Sequence, residues 1–553
     1  MRLVRTIAGL ATGVLFVTSL AYGQYLAPSG PTCNACSRGR GATVAGVVKG
    51  PDGKPFMGAF VQAQNLKKPI LVSVLSGQDG RYRIPNLSAG EYTLQIHAVG
   101  FKANSYANVK LAGRQHASYN FALEKGMVHW GDLSVYQGQK LWPDSAGKQL
   151  VDQRCFACHG FQNFWAPHMG QADLTVWQGL VTYMRTGMGY FLNNPRRPFT
   201  DQDAATSAEY LTSLFGKNSV LPESPADMPG YKEVEDPPPS AAAMNIVYVE
   251  YELLPSGPGG HPMPWSADPD TKDGSAWMPN YGDANTIGRL NPETGSVELF
   301  RAPNQSSAGI HSAVPAPDGS VWFTEQGANK LGRWDPKTQQ ITEYQDDAGK
   351  HTARVGPTGE IWFSGARGSF NPKTGKFTHY GGGPSGNGAY GIALDQEGDA
   401  WYASGNYLVR VDGKTRQIET YTPPTHQNNF DRRIQVDSDG SVWFAEYNHG
   451  KLTRFDPKTK QFKEYQLPGP DPSPYALWID NNHDIWYSSE WTDIIGRFDP
   501  STGKTVIYPF PQSENTMREF FGDSEGRIWF ATPANDKVGY FYIAGGASES
   551  ARK

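Results

Sequence analysis

Asp318-Gly-Ser-Val-Trp-Phe-Thr-Glu325, resuming four residues later as Lys330-Leu-Gly-Arg-Trp-Asp-Pro336, is the stretch on which the fold turns. An Asp-Gly turn, a short apolar run around a tryptophan, a second short run and an Asp-Pro turn describe two strands of a hairpin and the start of a third. The same string returns as Asp439-Gly-Ser-Val-Trp443-Phe-Ala-Glu446 with Lys451-Leu-Thr-Arg-Phe-Asp-Pro457, as Asn285-Thr-Ile-Gly-Arg-Leu-Asn-Pro292 and as Ile494-Ile-Gly-Arg-Phe-Asp-Pro500. Seven tryptophans keep its phase: Trp277, Trp322, Trp362, Trp401, Trp443, Trp486 and Trp529, at intervals of 45, 40, 39, 42, 43 and 43 residues. A period near 42 with four short strands per repeat predicts a β-propeller, here of seven blades over residues 244–545.

Outward from this repeat the chain changes character three times. Residues 42–124 alternate apolar and polar positions between turns such as Asp52-Gly-Lys-Pro55 and Asp79-Gly80, which predicts a small antiparallel β-sandwich. Residues 131–217 carry helical spacing over Gln137–Arg154, Asp173–Arg185 and Asp201–Phe215, with Asp173 and Thr200 at N-cap positions. Residues 218–243 are Pro-rich and read as an extended linker. The fold class is therefore mainly β and multidomain: a sandwich, a small all-α domain and a propeller.

Composition agrees with turn-dense β structure, with 62 Gly, 41 Pro and 15 Trp among 553 residues. The net charge of −4 is spread along the chain, which excludes the basic footprint of a nucleic-acid binder or of a face for anionic lipid. Arg2 and Arg5 precede an apolar run from Ile7 to Leu20 and a small-residue cleavage site ending at Gly23. This pattern predicts a secretory signal peptide over residues 1–23 and a periplasmic or secreted chain with no transmembrane segment after its removal. In the segment 24–41, Cys33-Asn-Ala-Cys36 is followed by Ser37 and lacks an axial ligand. In an exported chain a small-loop disulfide is the plain reading, with metal capture or a redox role as the alternative.

Cys155-Phe-Ala-Cys158-His159 is different. Two thiols three positions apart at a helix end can each add to one haem vinyl group, and the following imidazole then reaches the iron. One covalent haem c is the expected cofactor, with His159 as iron ligand. Met188 and Met184 are the candidates for the sixth ligand, Met169 and His168 the lesser rivals. Six-coordinate iron suits electron transfer to or from a protein partner or a small-molecule substrate.

In each blade the residue about eleven before the tryptophan opens the innermost strand. At that offset stand His311, His351, Tyr390, Arg432, Tyr475 and Arg518, and the first blade, which carries an insertion, offers His261 nearby. Imidazole, phenol and guanidinium groups at a funnel mouth suit an anionic or carbonyl-bearing ligand. Three residues after the tryptophan, Glu325 and Glu446 add carboxylates.

Three resemblances follow from these strings. Gly46, Asp52-Gly-Lys-Pro55, Asp79-Gly80 with Tyr82, Gly90 with Tyr92 and Gly100-Phe101 resemble the carboxypeptidase regulatory-like domain, which has a transthyretin-like, carbohydrate-binding-like sandwich fold and implies carbohydrate as a further partner class. Residues 131–217 resemble class I cytochromes c, which implies a distal Met in or just before the loop ahead of the last helix. Asp-Gly-x-x-Trp-Phe-Thr-Glu with Asn-Lys-Leu-Gly-Arg resembles the streptogramin (virginiamycin B) lyase propeller over residues 246–542. That family opens a cyclic depsipeptide by elimination with a His base and Mg held by glutamates. The resemblance implies His311 as base and Glu325 as metal ligand, with His351 at the matching position of the next blade. Gly309 and Gly349 stand where the lyases carry a glutamate two residues before the His, which weakens the match at the metal. Three functions compete: haem-mediated redox, a lyase or hydrolase on the propeller, and a non-catalytic binding scaffold. A quinone cofactor in the propeller fits seven blades poorly.

Overall fold

The structure is a computed structural model that describes residues 41–155, 160–161, 172–187, 198–254, 261–282, 285–303, 309–382, 384, 386, 388–427 and 431–544. The signal peptide, Cys33, Cys36, Cys158, His159, His168, Met169 and Met188 lie outside these residues. Among the described residues no helix is long and apolar enough to cross a membrane.

The sandwich uses β1 (Ala42–Lys49), β2 (Phe60–Asn65), β3 (Ile70–Leu75), β4 (Arg81–Leu87), β5 (Gly90–His97), β6 (Asn104–Leu111) and the short β7 (His116–Ser118) and β8 (Phe121–Ala122). One sheet pairs β4, β1 and β7, with β8 also on β1. The other runs β3-β2-β5-β6, and it does not stop there. β3 pairs antiparallel with β9 (Ile246–Glu252), from Ile70 opposite Tyr251 to Val74 opposite Val247. β9 is itself the outermost strand of the last propeller blade, paired along Lys537–Ile543. Sandwich and propeller thus share one eight-stranded sheet.

Among the described residues seven blades are each built on four strands, with a short fifth strand, Gly388–Ala389, added to the third and β9 supplying the outermost strand of the last. The second, for example, runs from Ile310–Pro315 through Val321–Glu325 and Lys330–Trp334 to Ile341–Gln345. The repeated string has a packing cause. The seven phase tryptophans are buried between blades, each no more than 3% exposed. The guanidinium of the copied Gly-Arg pair lies over the ring, as Arg333 does on Trp322 at 5.9 Å and Arg497 on Trp486 at 5.7 Å. The glycine before it leaves room for the aromatic residue that follows the tryptophan: a Cβ at Gly332 would sit 2.1 Å from the Phe323 ring, and one at Gly496 2.1 Å from that of Tyr487. Each Asp-Pro closes an Asx turn; Asp335 Oδ1 accepts the Lys337 amide at 2.9 Å and Asp456 Oδ1 the Lys458 amide at 2.9 Å.

Among the described residues the longer helices between the sandwich and β9 are α1 (Val135–Leu141), α2 (Ala146–Arg154), α3 (Leu174–Gly187) and α4 (Asp201–Phe215). The single helix expected over Gln137–Arg154 is two, because Trp142-Pro143 interrupts it and Ser145 caps a new start by accepting the Lys148 amide. Thr200 and Asp203 form a reciprocal capping box on α4. Gly147 brings α2 against Tyr210 of α4, since a Cβ there would lie 2.4 Å from that side chain. Trp142, Phe161, Trp177 and Phe215 fill the core of this helical unit.

Residues 218–243 depart from the expected extended linker. They fold back on the helices as short turns and helical segments, including Pro225–Asp227 and Tyr231–Val234. The Trp130 indole donates to the Pro222 carbonyl at 2.9 Å, Gln137 Nε2 donates to the Val234 carbonyl at 2.8 Å, and Leu221 and Tyr231 join the same core. Backbone polar groups and apolar anchors, Leu221 and Tyr231 among prolines, decide the matter against Pro content alone.

Candidate functional site

The first strands of the blades converge on the propeller axis, where their leading side chains form a ring. The His311 and His351 ring centroids are 3.7 Å apart, and His351 lies 4.3 Å from Tyr390. The Tyr390 and Tyr475 hydroxyls are hydrogen-bonded. The Arg432 guanidinium sits 5.0, 4.2 and 4.4 Å over Tyr390, Tyr447 and Tyr475. Arg518 donates to the Tyr475 hydroxyl at 3.2 Å and to Glu490 at 3.0 Å.

His261 is not in this ring. Its side chain is 75% exposed and pairs with Asp536 at 2.7 Å. The first blade contributes Trp265 instead, 5.9 Å from His311 and 4.3 Å below the Arg518 guanidinium. An offset of twelve rather than eleven from Trp277 would have found it. A second tier was also missed, four residues after the tryptophan: Tyr281 stands edge-on to His311 at 6.1 Å, and Tyr447 donates to Glu490 at 2.7 Å.

Hydroxyl side chains two residues after the tryptophan hold the ring from behind. Thr324 Oγ1 donates to the His351 carbonyl at 2.7 Å, Ser364 to the Tyr390 carbonyl at 2.6 Å and Ser488 to the Met517 carbonyl at 2.8 Å. Under the ring lies a buried charge cluster. Glu519 pairs with Arg433 at 2.9 Å and Arg354 at 3.4 Å, and Arg433 also donates to Thr352 at 2.7 Å and to the Arg518 carbonyl at 2.8 Å.

Burial, then the cationic neighbours, holds both imidazoles well below the ordinary histidine range, so His311 and His351 are neutral. His311 Nδ1 has no hydrogen-bond partner among the described residues. For Tyr390, burial favours the phenol but Arg432, Arg433 and Arg518 outweigh it and lower its pKa. Burial dominates at Tyr475 and raises its pKa. The ring is thus a neutral imidazole pair beside a proton-sharing phenol pair under guanidinium groups.

Glu325 belongs elsewhere. It faces Lys330 and Glu343, an arrangement repeated by Glu446 with Lys451 and Glu464. The expected pairing of a His311 base with a Glu325-bound cation is therefore not the one the fold assembles, and among the described residues no three His, Cys, Asp or Glu side chains cluster as metal ligands. Glu325 is in register with Ile310, and a β-bulge at His311 interrupts the pairing before it resumes with Ser312 opposite Thr324.

Burial raises the carboxyl pKa of Glu325 and of Glu446 to about 7 from an ordinary 4.5. A carboxyl protonated in the fold and ionised in the unfolded chain destabilises as pH rises from about 4.5 to about 7. The double variant Glu325→Gln, Glu446→Gln is expected to flatten this fall, melting several degrees higher than the parent at pH 8 and no higher at pH 5 in thermal scans.

The virginiamycin B lyase family matches residues 375–550, and the carboxypeptidase regulatory-like domain matches residues 43–124. The propeller is virginiamycin B lyase-like. Virginiamycin B lyase from Staphylococcus aureus is 25% identical over 53% of this chain and 98% of its own, with a TM-score of 0.48. A streptogramin B lyase structure is 26% identical over 55% of this chain and 100% of its own, with a TM-score of 0.48. An extracellular domain of a Bacteroides thetaiotaomicron one-component system is 17% identical over 54% of this chain and 45% of its own, with a TM-score of 0.41. No curated protein matches the chain. The lyase-like propeller follows the regulatory-like sandwich, with the helical unit inserted between them.

Proposed function

We propose that this chain is an exported c-type haem protein in which the helical unit exchanges electrons with a ligand held by the lyase-like propeller, or with a redox partner. The observation that carries the reading is the place of the Cys155–His159 string: Cys155 caps α2 with its backbone still helical, so the helix leads straight into the attachment motif. Cys155 and Cys158 would hold the porphyrin and His159 the iron, with Met184 or Met188 as the candidate for its further ligand.

An apolar face on α3 fits such a group. Val176 and Tyr183 lie seven residues apart on one side of the helix, 45% and 60% exposed, and between them Gly179 has open space where a Cβ would be. Soluble helices seldom turn a valine, a tyrosine and a glycine outward in one row unless something apolar lies against them. Met184, half-buried, is one residue round the helix from this row. Bound haem c supplies a one-electron couple. The helical unit also touches the ring tier: the Tyr136 amide of α1 donates to the Trp491 carbonyl at 2.9 Å, and Trp491 stands edge-on to Tyr447 at 6.3 Å. At the ring, Arg432 and Arg518 attract an anionic or carbonyl-bearing ligand, and the neutral imidazoles accept a hydrogen bond from it.

The second reading, lyase or hydrolase chemistry with His311 as base, is favoured by that neutral, unpartnered Nδ1 alone. A single experiment separates the two. Protein matured with haem is expected to give a low-spin c-type band in a reduced-minus-oxidised spectrum, weakened by Met184→Ala or Met188→Ala, whichever is the ligand. No haem band at all, together with depsipeptide opening that His311→Ala abolishes, would establish the second reading and sink the first.

A further inference from the structure

Glu490 and Asp493, two carboxylates in one turn, hold the two ends of a single buried segment. The turn, residues 490–493, joins the strands Ile485–Ser489 and Ile494–Asp499 of the sixth blade. At its start Glu490 accepts from the Arg518 guanidinium at 3.0 Å. At its end Asp493 accepts the Glu514 amide at 3.1 Å on one oxygen and the Asn515 amide at 3.0 Å on the other. Residues 514–518 are thus gripped from both sides, and Arg518 is a member of the ring.

The gripped segment carries backbone strain. Glu514 and Thr516 have φ of 57° and 42°, in the left-handed region that a β-branched residue such as threonine seldom enters. Such a conformation lasts only where its surroundings hold it. Asn535 donates to the Ser513 and Glu514 carbonyls at 3.3 and 3.0 Å, and Ser488 to that of Met517, all from within the propeller. The middle of the turn, by contrast, is held by the helical unit. The Tyr136 amide lies in the first turn of α1, where a helix offers no acceptor of its own, and it donates to the Trp491 carbonyl at 2.9 Å. α1 is itself fixed at that end: Ser134 and Gln137 form a reciprocal capping box, and Gln137 donates to the Val234 carbonyl at 2.8 Å.

We propose that the 490–493 turn couples the two units: the seating of α1 on Trp491 sets the position of Arg518 in the ring. The turn, residues 514–518 and the start of α1 open and close as one cooperative element. In the open state Glu514 and Thr516 relax to negative φ and Arg518 leaves Tyr475. A ligand held through Arg518 is then held tightly only while the helical unit is seated, and by linkage the ligand tightens that seat. From the proposed function this coupling takes only that the ring holds a ligand. Its contacts need no haem, so a failed test leaves the haem reading standing.

Hydrogen exchange of the full chain, read by mass spectrometry of its peptides, is the test. Asp493→Asn suits the left-handed backbone at that position, φ 51°, but a carboxamide accepts at one oxygen only and turns an N–H toward the other amide. It is expected to speed exchange of residues 514–518 by about tenfold or more, and that of α1 with it. From the other side, Ser134→Ala removes the α1 cap and is expected to speed exchange in α1 and in residues 514–518 alike, by about fivefold. The Lys330–Trp334 strand of the second blade is the unchanged reference. Thermal melts confirm that each variant is folded. Unchanged exchange of α1 in a folded Asp493→Asn chain, or of residues 514–518 in Ser134→Ala, would overturn the proposal.

Discussion

The chain with both Cys155→Ser and Cys158→Ser, produced beside a c-type haem maturation system, is expected to fold and to carry no covalent haem. The fold should survive because the core of the helical unit rests on Trp130, Trp142, Trp177, Leu211 and Phe215, all buried, whereas Cys155 only borders it. Covalent haem should vanish because each thioether needs its own thiol; no other cysteine is left beyond Cys33 and Cys36 in the N-terminal segment. Haem staining after denaturing electrophoresis reads this directly: strong in the parent, weaker in each single variant, absent in the double. His159→Ala should keep the stain and lose the low-spin spectrum, since attachment and ligation are separate bonds. A parent chain that takes no stain in a strain that matures other c-type haem proteins would end the redox reading.

Glu519→Ala is expected to destabilise the propeller by about 3–5 kcal/mol, the usual cost of removing one partner from a buried ion pair. Glu519 is 4% exposed and is the carboxylate shared by Arg433 and Arg354, so its loss leaves the buried Arg433 and the half-buried Arg354 without their common counter-charge. Asp268 lies near, but burial pushes its own carboxyl well above the ordinary carboxylate range, so it is a poor substitute for the Glu519 charge. Glu519→Gln should cost less, as the amide still accepts hydrogen bonds. Denaturant unfolding followed by tryptophan fluorescence, which reports the buried blade tryptophans, checks both; a change under about 1 kcal/mol for Glu519→Ala would contradict the cluster's role. The loss should also disturb the ring above, since Arg433 holds the Arg518 backbone.

The blades were legible because their signal is redundant. One tryptophan at fixed phase, one glycine beneath an aromatic ring and one Asx turn repeat often enough that any single lapse is outvoted. Six ring members were legible for the same reason, whereas Trp265 was hidden by one extra residue in the first blade. The Trp+3 glutamates looked functional because carboxylates are chemically eloquent, yet the fold turns Glu325 toward Lys330 and Glu343. The tier at Tyr281, Tyr447 and Glu490 has no shared residue type, so periodicity alone gave no reason to choose it. The linker misread had another origin: proline content reports local stiffness and says nothing of the distant Trp130 and Gln137 that capture the segment. That β3 would pair with β9, some 175 residues later, left no trace in either strand's own pattern.

That last pairing has a mechanical meaning. The helical unit leaves the chain after β8 and returns at β9, and the sheet that receives β9 is the one the sandwich itself belongs to. The two ends of the insertion are therefore anchored to the two sheets of the sandwich, one through β8 on β1 and the other through β9 on β3, in the manner of a handle fixed at two points. A unit held by a single strand could swing away from Trp491; this one can only rock. Its separation from the propeller axis is set by β-sheet register, and tension applied between sandwich and propeller would load the β3–β9 ladder, from Ile70 opposite Tyr251 to Val74 opposite Val247, before it reached the helices.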